Sequence, residues 1–184
     1  MSRSFRYVVR TLFAIAIAFP GVVHAWKPEI DEIPGEIETF EYLDGTPLSV
    51  EALRGKPVLL YFGADWCPPC HRARPEVLRV ARAFRDEGLE VVFLSFDDNA
   101  ERDLKRGFEA SMGVRVAMPR LDSCPPKHCS TRTTFQLGAF GRLFGLPLAV
   151  VIDAQGVVRA KLDRGQRILR ELAPEVAAVM PAAR

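Results

Sequence analysis

The chain has 184 residues, 48% of them apolar, with 25 Lys and Arg against 23 Asp and Glu. That length suits one domain with a real core and leaves little room for a second. No internal repeat or low-complexity tract is present, and no basic stripe interleaved with aromatics supports nucleic-acid binding.

The first 25 residues carry Arg3, Arg6 and Arg10 but no acid, then the apolar run TLFAIAIAFPGVV, then His24-Ala25. A basic start, a short apolar centre and Val23 and Ala25 at the cleavage positions predict a signal peptide over 1–25, leaving a mature chain from Trp26. The apolar run is shorter than the roughly 20 residues that span a bilayer, and Pro20 interrupts it. An uncleaved anchor is the competing reading. Taking the three arginines from 25 leaves 22 basic residues against 23 acidic ones, a formal charge of −1.

Residues 26–37 (WKPEIDEIPGEI) read as an extended lead-in, and 38–184 as the folded domain. TFEYL, Asp44-Gly45 and TPL predict a short hairpin. SVEALRG predicts one helical turn, capped by Ser49 and stopped by Gly55. PVLLYFG has the continuous apolar character of a strand buried on both faces. A helical pattern follows from Pro68 to Glu87, ended by Gly88. Leu89–Phe96 is a second buried strand, NAERDLKRGFEASMG a polar amphipathic helix, and VRVAMPRL a third strand. The loop DSCPPKHCST precedes a helix through FQLGAFGRLF. PLAVVID and VVRAKL form a hairpin around AQG, and GQRILREL closes as a helix that re-starts at Pro174. Strands alternating with helices, then a terminal hairpin and helix, make an α/β domain with a mixed sheet.

All four cysteines, Cys67, Cys70, Cys124 and Cys129, lie beyond the signal segment. Export puts them where disulfides persist. Cys67 and Cys70, in GADWCPPCHR, fall where a buried strand hands over to a helix. The unpaired N–H groups and partial positive charge of a helix N-terminus stabilise a thiolate, the species that attacks disulfides. Cys67 is the expected nucleophile, and Cys70, one turn further in, the expected resolving thiol. Pro69 is the expected first helical residue. Neither Pro68 nor Pro69 has an N–H, so Cys67 has few backbone donors apart from that of Cys70, and no cation sits between the cysteines. A moderately lowered thiol pKa, and so a reducing couple, follows. The bland alternative is a static disulfide, but a loop this small removes little unfolded-state entropy.

YFGADWCPPC resembles the thioredoxin superfamily signature, in which a strand runs into Trp-Cys-x-x-Cys. Pro75 matches the proline inside that family's active-site helix, Gly145-Leu146-Pro147 the loop bearing its cis-proline, and VIDAQGVV its terminal hairpin. With the signal segment and lead-in hairpin, the chain is similar to the TlpA/ResA-like exported reductases from about Phe40 to Leu172. The resemblance implies a thioredoxin-like fold in the periplasm, a sheet flanked by helices with an N-terminal hairpin extension. It implies Cys67 and Cys70 as catalytic residues, and Trp66, Leu146 and the cis-proline Pro147 as substrate-binding residues. Protein disulfides would be the substrates, with apocytochrome c or copper-site cysteines suggested. A membrane thiol-transfer protein would be the electron donor, and no cofactor beyond the Cys67–Cys70 pair is needed. Two departures stand out. Tyr61 occupies the position of the family's buried Asp, and Ala73 that of a Glu common in exported relatives, which leaves Asp65 and His71 as near candidates for the proton acceptor of Cys70.

Trp66 read alone is equally an ordinary core aromatic, His71 a solvated surface residue, Asp65 a helix-start acid and Pro147 a strand-entry proline. Cys124 and Cys129, in CPPKHC, are expected to form a structural disulfide. The alternatives are a second redox relay, or a soft-metal site with His128 as third ligand; no metal site is assigned. Three rivals to a reductant remain: an oxidase or isomerase of the same fold, a copper-handling module built on the second cysteine pair, and a thiol peroxidase, whose reactive cysteine needs no adjacent CxxC.

Overall fold

A computed structural model describes residues 31, 40–49, 51–98, 101–120 and 145–181. The expected signal segment, nearly all of the lead-in, the loop with Cys124, His128 and Cys129, and the helix expected after it lie outside the described residues.

Six strands form one sheet among these residues, in the order β1-β4-β3-β2-β5-β6. In chain order the elements are β1 (Phe40–Tyr42), a single 3-10 turn (Glu51–Leu53), β2 (Val58–Gly63), α1 (Pro68–Phe84), β3 (Glu90–Ser95), α2 (Arg102–Met112), β4 (Arg115–Pro119), β5 (Leu148–Ile152), β6 (Val158–Leu162) and α3 (Gly165–Val179). β2, β3 and β4 run parallel, while β1, β5 and β6 join antiparallel. The sheet is therefore mixed, as the alternation of elements predicts.

β2 sits inside the sheet with every residue buried, which explains its unbroken apolar run. Alternate side chains go to opposite faces. Leu60 and Phe62 join a core that includes Phe40, Phe96, Cys67 and Cys70. Leu59 and Tyr61 pack instead with Val77 and Val80 of α1 and Ile168 and Leu172 of α3. Burying β2 on both faces fixes the point where it ends, and with it the start of α1.

The lead-in hairpin is slighter than its sequence suggests. Leu48 N–H donates to Phe40 O, but the return limb makes only an isolated bridge between Glu41 and Pro47, and β1 pairs with β4. The Ser49 hydroxyl accepts from Ala52 N–H at 3.3 Å, and Gly55 adopts φ +89°, so the capped turn forms, as a 3-10 turn. α1 ends at Phe84, before the expected Glu87, although Gly88 has the expected positive φ. α3 runs through Pro174 without re-starting. Its buried Ile168, Leu172 and Val176 hold one stripe across that proline, so packing offsets the lost N–H.

Candidate active site

Cys67 is the N-cap of α1, so Pro68 and Pro69 take its first two helical positions; the first is Pro68, not Pro69. Both prolines fit where an N–H has no intrahelical acceptor. Cys67 and Cys70 are joined in a disulfide, 4% and 0% exposed. Cys70 N–H points at Cys67 Sγ from 3.2 Å, the only backbone donor on that sulfur among the described residues, since neither Pro68 nor Pro69 has an N–H. Their surroundings are apolar, with Phe62, Phe96 and Leu148 in the same core and Leu146 packed against it.

The Leu146–Pro147 peptide is cis. Pro147 approaches the cysteine turn at the start of α3: a Cβ built on Gly165 would lie 3.5 Å from Pro69 O and 3.8 Å from Pro147 Cγ. Trp66 is not a core aromatic. It is 54% exposed, with its indole N–H donating to Phe96 O at 3.1 Å. The structure thus brings Trp66, Cys67, Cys70, Leu146 and Pro147 to one end of the sheet.

Tyr61, where the family's buried Asp would stand, is itself buried and donates its O–H to Cys70 O at 3.1 Å. Burial pushes its phenol well above the ordinary tyrosine value, outweighing the charge of Arg74. At neutral pH Tyr61 is a donor that holds the helix start and offers no base. Gly63, on the same face of β2, lies close against it: a Cβ there would lie 2.9 Å from Tyr61 Cε1, so a larger residue would force the ring to shift.

Asp65 is the hub of a cluster spanning three elements. Its backbone N–H donates to Asp97 Oδ1 at 2.6 Å, and its carbonyl accepts from His71 Nε2 at 2.5 Å. Its carboxylate takes Arg74 at 2.6 Å and Lys105 at 2.5 Å. Lys105 also meets Asp97 Oδ2 at 2.6 Å, and Ser95 Oγ donates to that same oxygen. Partial burial pushes the Asp65 carboxyl up, but the bonds and charges of Lys105 and Arg74 outweigh it and hold it below the usual carboxylate range. Asp65 is thus an anion committed to two cations, and His71 is an exposed residue tied to a carbonyl.

Asp65, Asp97 and Glu101 lie close enough to share a cation. The Lys105 ammonium already bridges two of those carboxylates, so the cluster is fitted to an internal amine rather than a metal. Beside it lies a cavity of about 60 Å³, with Phe93, Phe108 and Val116 among its apolar walls and Asp65, Arg74 and Lys105 among its polar ones.

Asp97 and Lys105 went unread in the sequence. Asp97 follows a buried strand, a weak hint of placement at the sheet's carboxyl end. Lys105 lies in a polar helix whose Asp103 and Arg106 are solvated, and nothing in its spacing marks it as buried.

The AhpC/TSA family model matches residues 35–161. The chain is 34% identical over 132 residues to a probable nucleoredoxin 3 of Oryza sativa subsp. japonica, covering 68% of this chain and 24% of that protein. It is 24% identical over 122 residues to the thiol-disulfide oxidoreductase ResA of Bacillus cereus, covering 65% and 62%. The chain thus spans about a quarter of the length of the nucleoredoxin. Among solved structures it is similar to a putative protein disulfide isomerase from Bacteroides thetaiotaomicron (TM-score 0.60, 22% identity, 83% and 90% of the two chains). It is also similar to a putative thiol:disulfide interchange protein DsbE from Chlorobium tepidum (TM-score 0.53, 21% identity, 80% and 98%). At these identities the structural likeness concerns the fold, which is thioredoxin-like.

Proposed function

The chain belongs to the AhpC/TSA family, and from that premise we propose that it is a thiol–disulfide oxidoreductase of exported proteins, working as a reductant. One observation carries the reading: the Cys67–Cys70 pair caps α1 at the end of a buried strand, beside a cis-proline. In the proposed cycle the Cys67 thiolate attacks a substrate disulfide, forming a mixed disulfide and expelling one substrate thiolate. Cys70, deprotonated, then attacks Cys67 Sγ and expels the second. Substrate gains two electrons and two protons, and the protein is left with the Cys67–Cys70 disulfide.

The donor-poor cap supports the reducing direction, because little stabilises a Cys67 thiolate beyond the helix terminus and one N–H. Trp66, exposed beside Cys67, and the Leu146–Pro147 edge would contact substrate. No cofactor is required, but a thiol donor is, and a membrane thiol-transfer protein fits an exported chain. Apocytochrome c and copper-site cysteines are the substrate classes proposed. The basic, then apolar, N-terminal segment supports export to a periplasm, and no helix among the described residues is long and apolar enough to cross a membrane. The domain proper runs over 38–184, with a disulfide proposed between Cys124 and Cys129.

The test is the state of the pair in living cells. Full-length chain expressed in a bacterium with a periplasm is acid-quenched and its thiols alkylated. A reductant keeps Cys67 and Cys70 largely reduced, and Cys70→Ser accumulates mixed disulfides with exported proteins. A pair found fully oxidised, with no mixed disulfides, sinks the reading.

A further inference from the structure

We propose that Lys105 is a positioning residue for the reactive cysteine, acting through Asp65 and Asp97 to fix the segment that presents Trp66 and Cys67. The inference rests on Cys67 being the attacking thiol.

Lys105 is 6% exposed and is the one buried residue of α2. A buried ammonium needs full compensation, and two carboxylates supply it: Asp65 at 2.5 Å and Asp97, itself 3% exposed, at 2.6 Å. Asp65 immediately precedes Trp66-Cys67, so whatever holds Asp65 holds the approach to the nucleophile.

The backbone there is held from three sides. From the end of β3, Asp97 accepts Asp65 N–H, Phe96 O accepts the Trp66 indole, and Phe96 N–H donates to Gly63 O. From α1, Arg74 takes the Asp65 carboxylate and His71 its carbonyl. From α2, Lys105 bridges Asp65 to Asp97. Arg74 engages only one of the two carboxylates, so Lys105 is the cation that lets them lie side by side. Glu101 stands close by as a third acid. Without Lys105, like charges face each other in a half-buried site, and the exposed partner, Asp65, is the one able to move away. That motion would carry Trp66 and the Cys67 cap with it, drawing the sulfur off the helix terminus that favours its thiolate.

The test uses reduced full-length protein with Cys70, Cys124 and Cys129 changed to Ser, and measures the rate of Cys67 alkylation by iodoacetamide against pH. Lys105→Met is expected to slow alkylation at pH 7 about tenfold and move its midpoint to higher pH, with Lys105→Arg recovering most of the rate. Asp65→Asn, on a partly exposed side chain, leaves the Asp97–Lys105 pair whole and keeps the test open if Lys105→Met does not fold. It should slow alkylation in the same direction by a smaller factor. Rates and midpoints within twofold of the parent in Asp65→Asn and in folded Lys105→Met overturn the proposal and leave Lys105 a structural charge. Because alkylation needs no substrate, an inactive wild-type protein would refute the proposed function without deciding this point.

Discussion

Asp65 and Cys67 are separated by one residue and occupy opposite environments. Cys67 and Cys70 are shut into an apolar core with a single backbone donor on the outer sulfur, while Asp65 is bound by two cations and a histidine ring. The difference teaches a division of labour. Placing Arg74 and Lys105 on the thiol itself would lower its pKa and make the couple more oxidising. Placed on Asp65, with both carboxylates present to cancel them, they hold the loop and leave the sulfur's chemistry to the helix terminus.

Breaking the dry side should have the largest effect. Cys67→Ser is expected to abolish disulfide reduction altogether, whereas Cys70→Ser should still attack and stall as a mixed disulfide, read by insulin reduction and by non-reducing gels. Equal, partial activity in both variants would mean the pair does not act in sequence.

Breaking the charged side should show first in stability. Lys105→Met strands the Asp97 carboxylate in the interior, and loss of one partner of a buried pair typically costs about 3–5 kcal/mol. Urea unfolding would register this. A loss under about 1 kcal/mol would mean that Asp97 is solvated, as a surface pair would be.

Tyr61 sits between the two regions and sharpens the contrast. Tyr61→Phe removes the bond to Cys70 O and should cost about 1 kcal/mol, with no change in the pH dependence of the reaction. A displaced pH profile would make the phenol a proton carrier after all.

The smallest effect belongs to acid. Partial burial of Asp65 and Asp153 opposes ionisation, but bonds to Lys105 and Arg74 in one case, and to Val157 N–H and Arg159 in the other, leave both folded-state pKa values below ordinary. Their stabilisation is therefore fully present above about pH 4, the unfolded carboxylate range, and is lost as pH falls through the depressed values. Denaturant midpoints measured from pH 6 down to pH 2 should stay flat and then drop; in Asp65→Asn the drop should be shallower.

What could be read from the chain follows how local each signal is. The unbroken run PVLLYFG, the Cys-Pro-Pro-Cys turn and the glycines that close turns are contiguous, so β2, the start of α1 and the cysteine pair were legible. The Asp65–Lys105 contact joins residues 40 apart, through a lysine whose helix reads as polar, and no spacing rule finds it. Pro174 misled for the reverse reason: a local breaker was overridden by the stripe of α3 on the sheet, a tertiary effect.

The central claim, a reducing dithiol in a donor-poor cap, is tested most directly by its redox potential. Full-length protein with Cys124 and Cys129 changed to Ser is equilibrated in graded glutathione or dithiothreitol buffers, and the oxidised fraction of Cys67–Cys70 is measured by alkylation and mass. A potential toward about −270 mV, as in thioredoxin, is the predicted result. A potential toward about −120 mV, as in a strong oxidant, would reverse the electron flow and contradict the account.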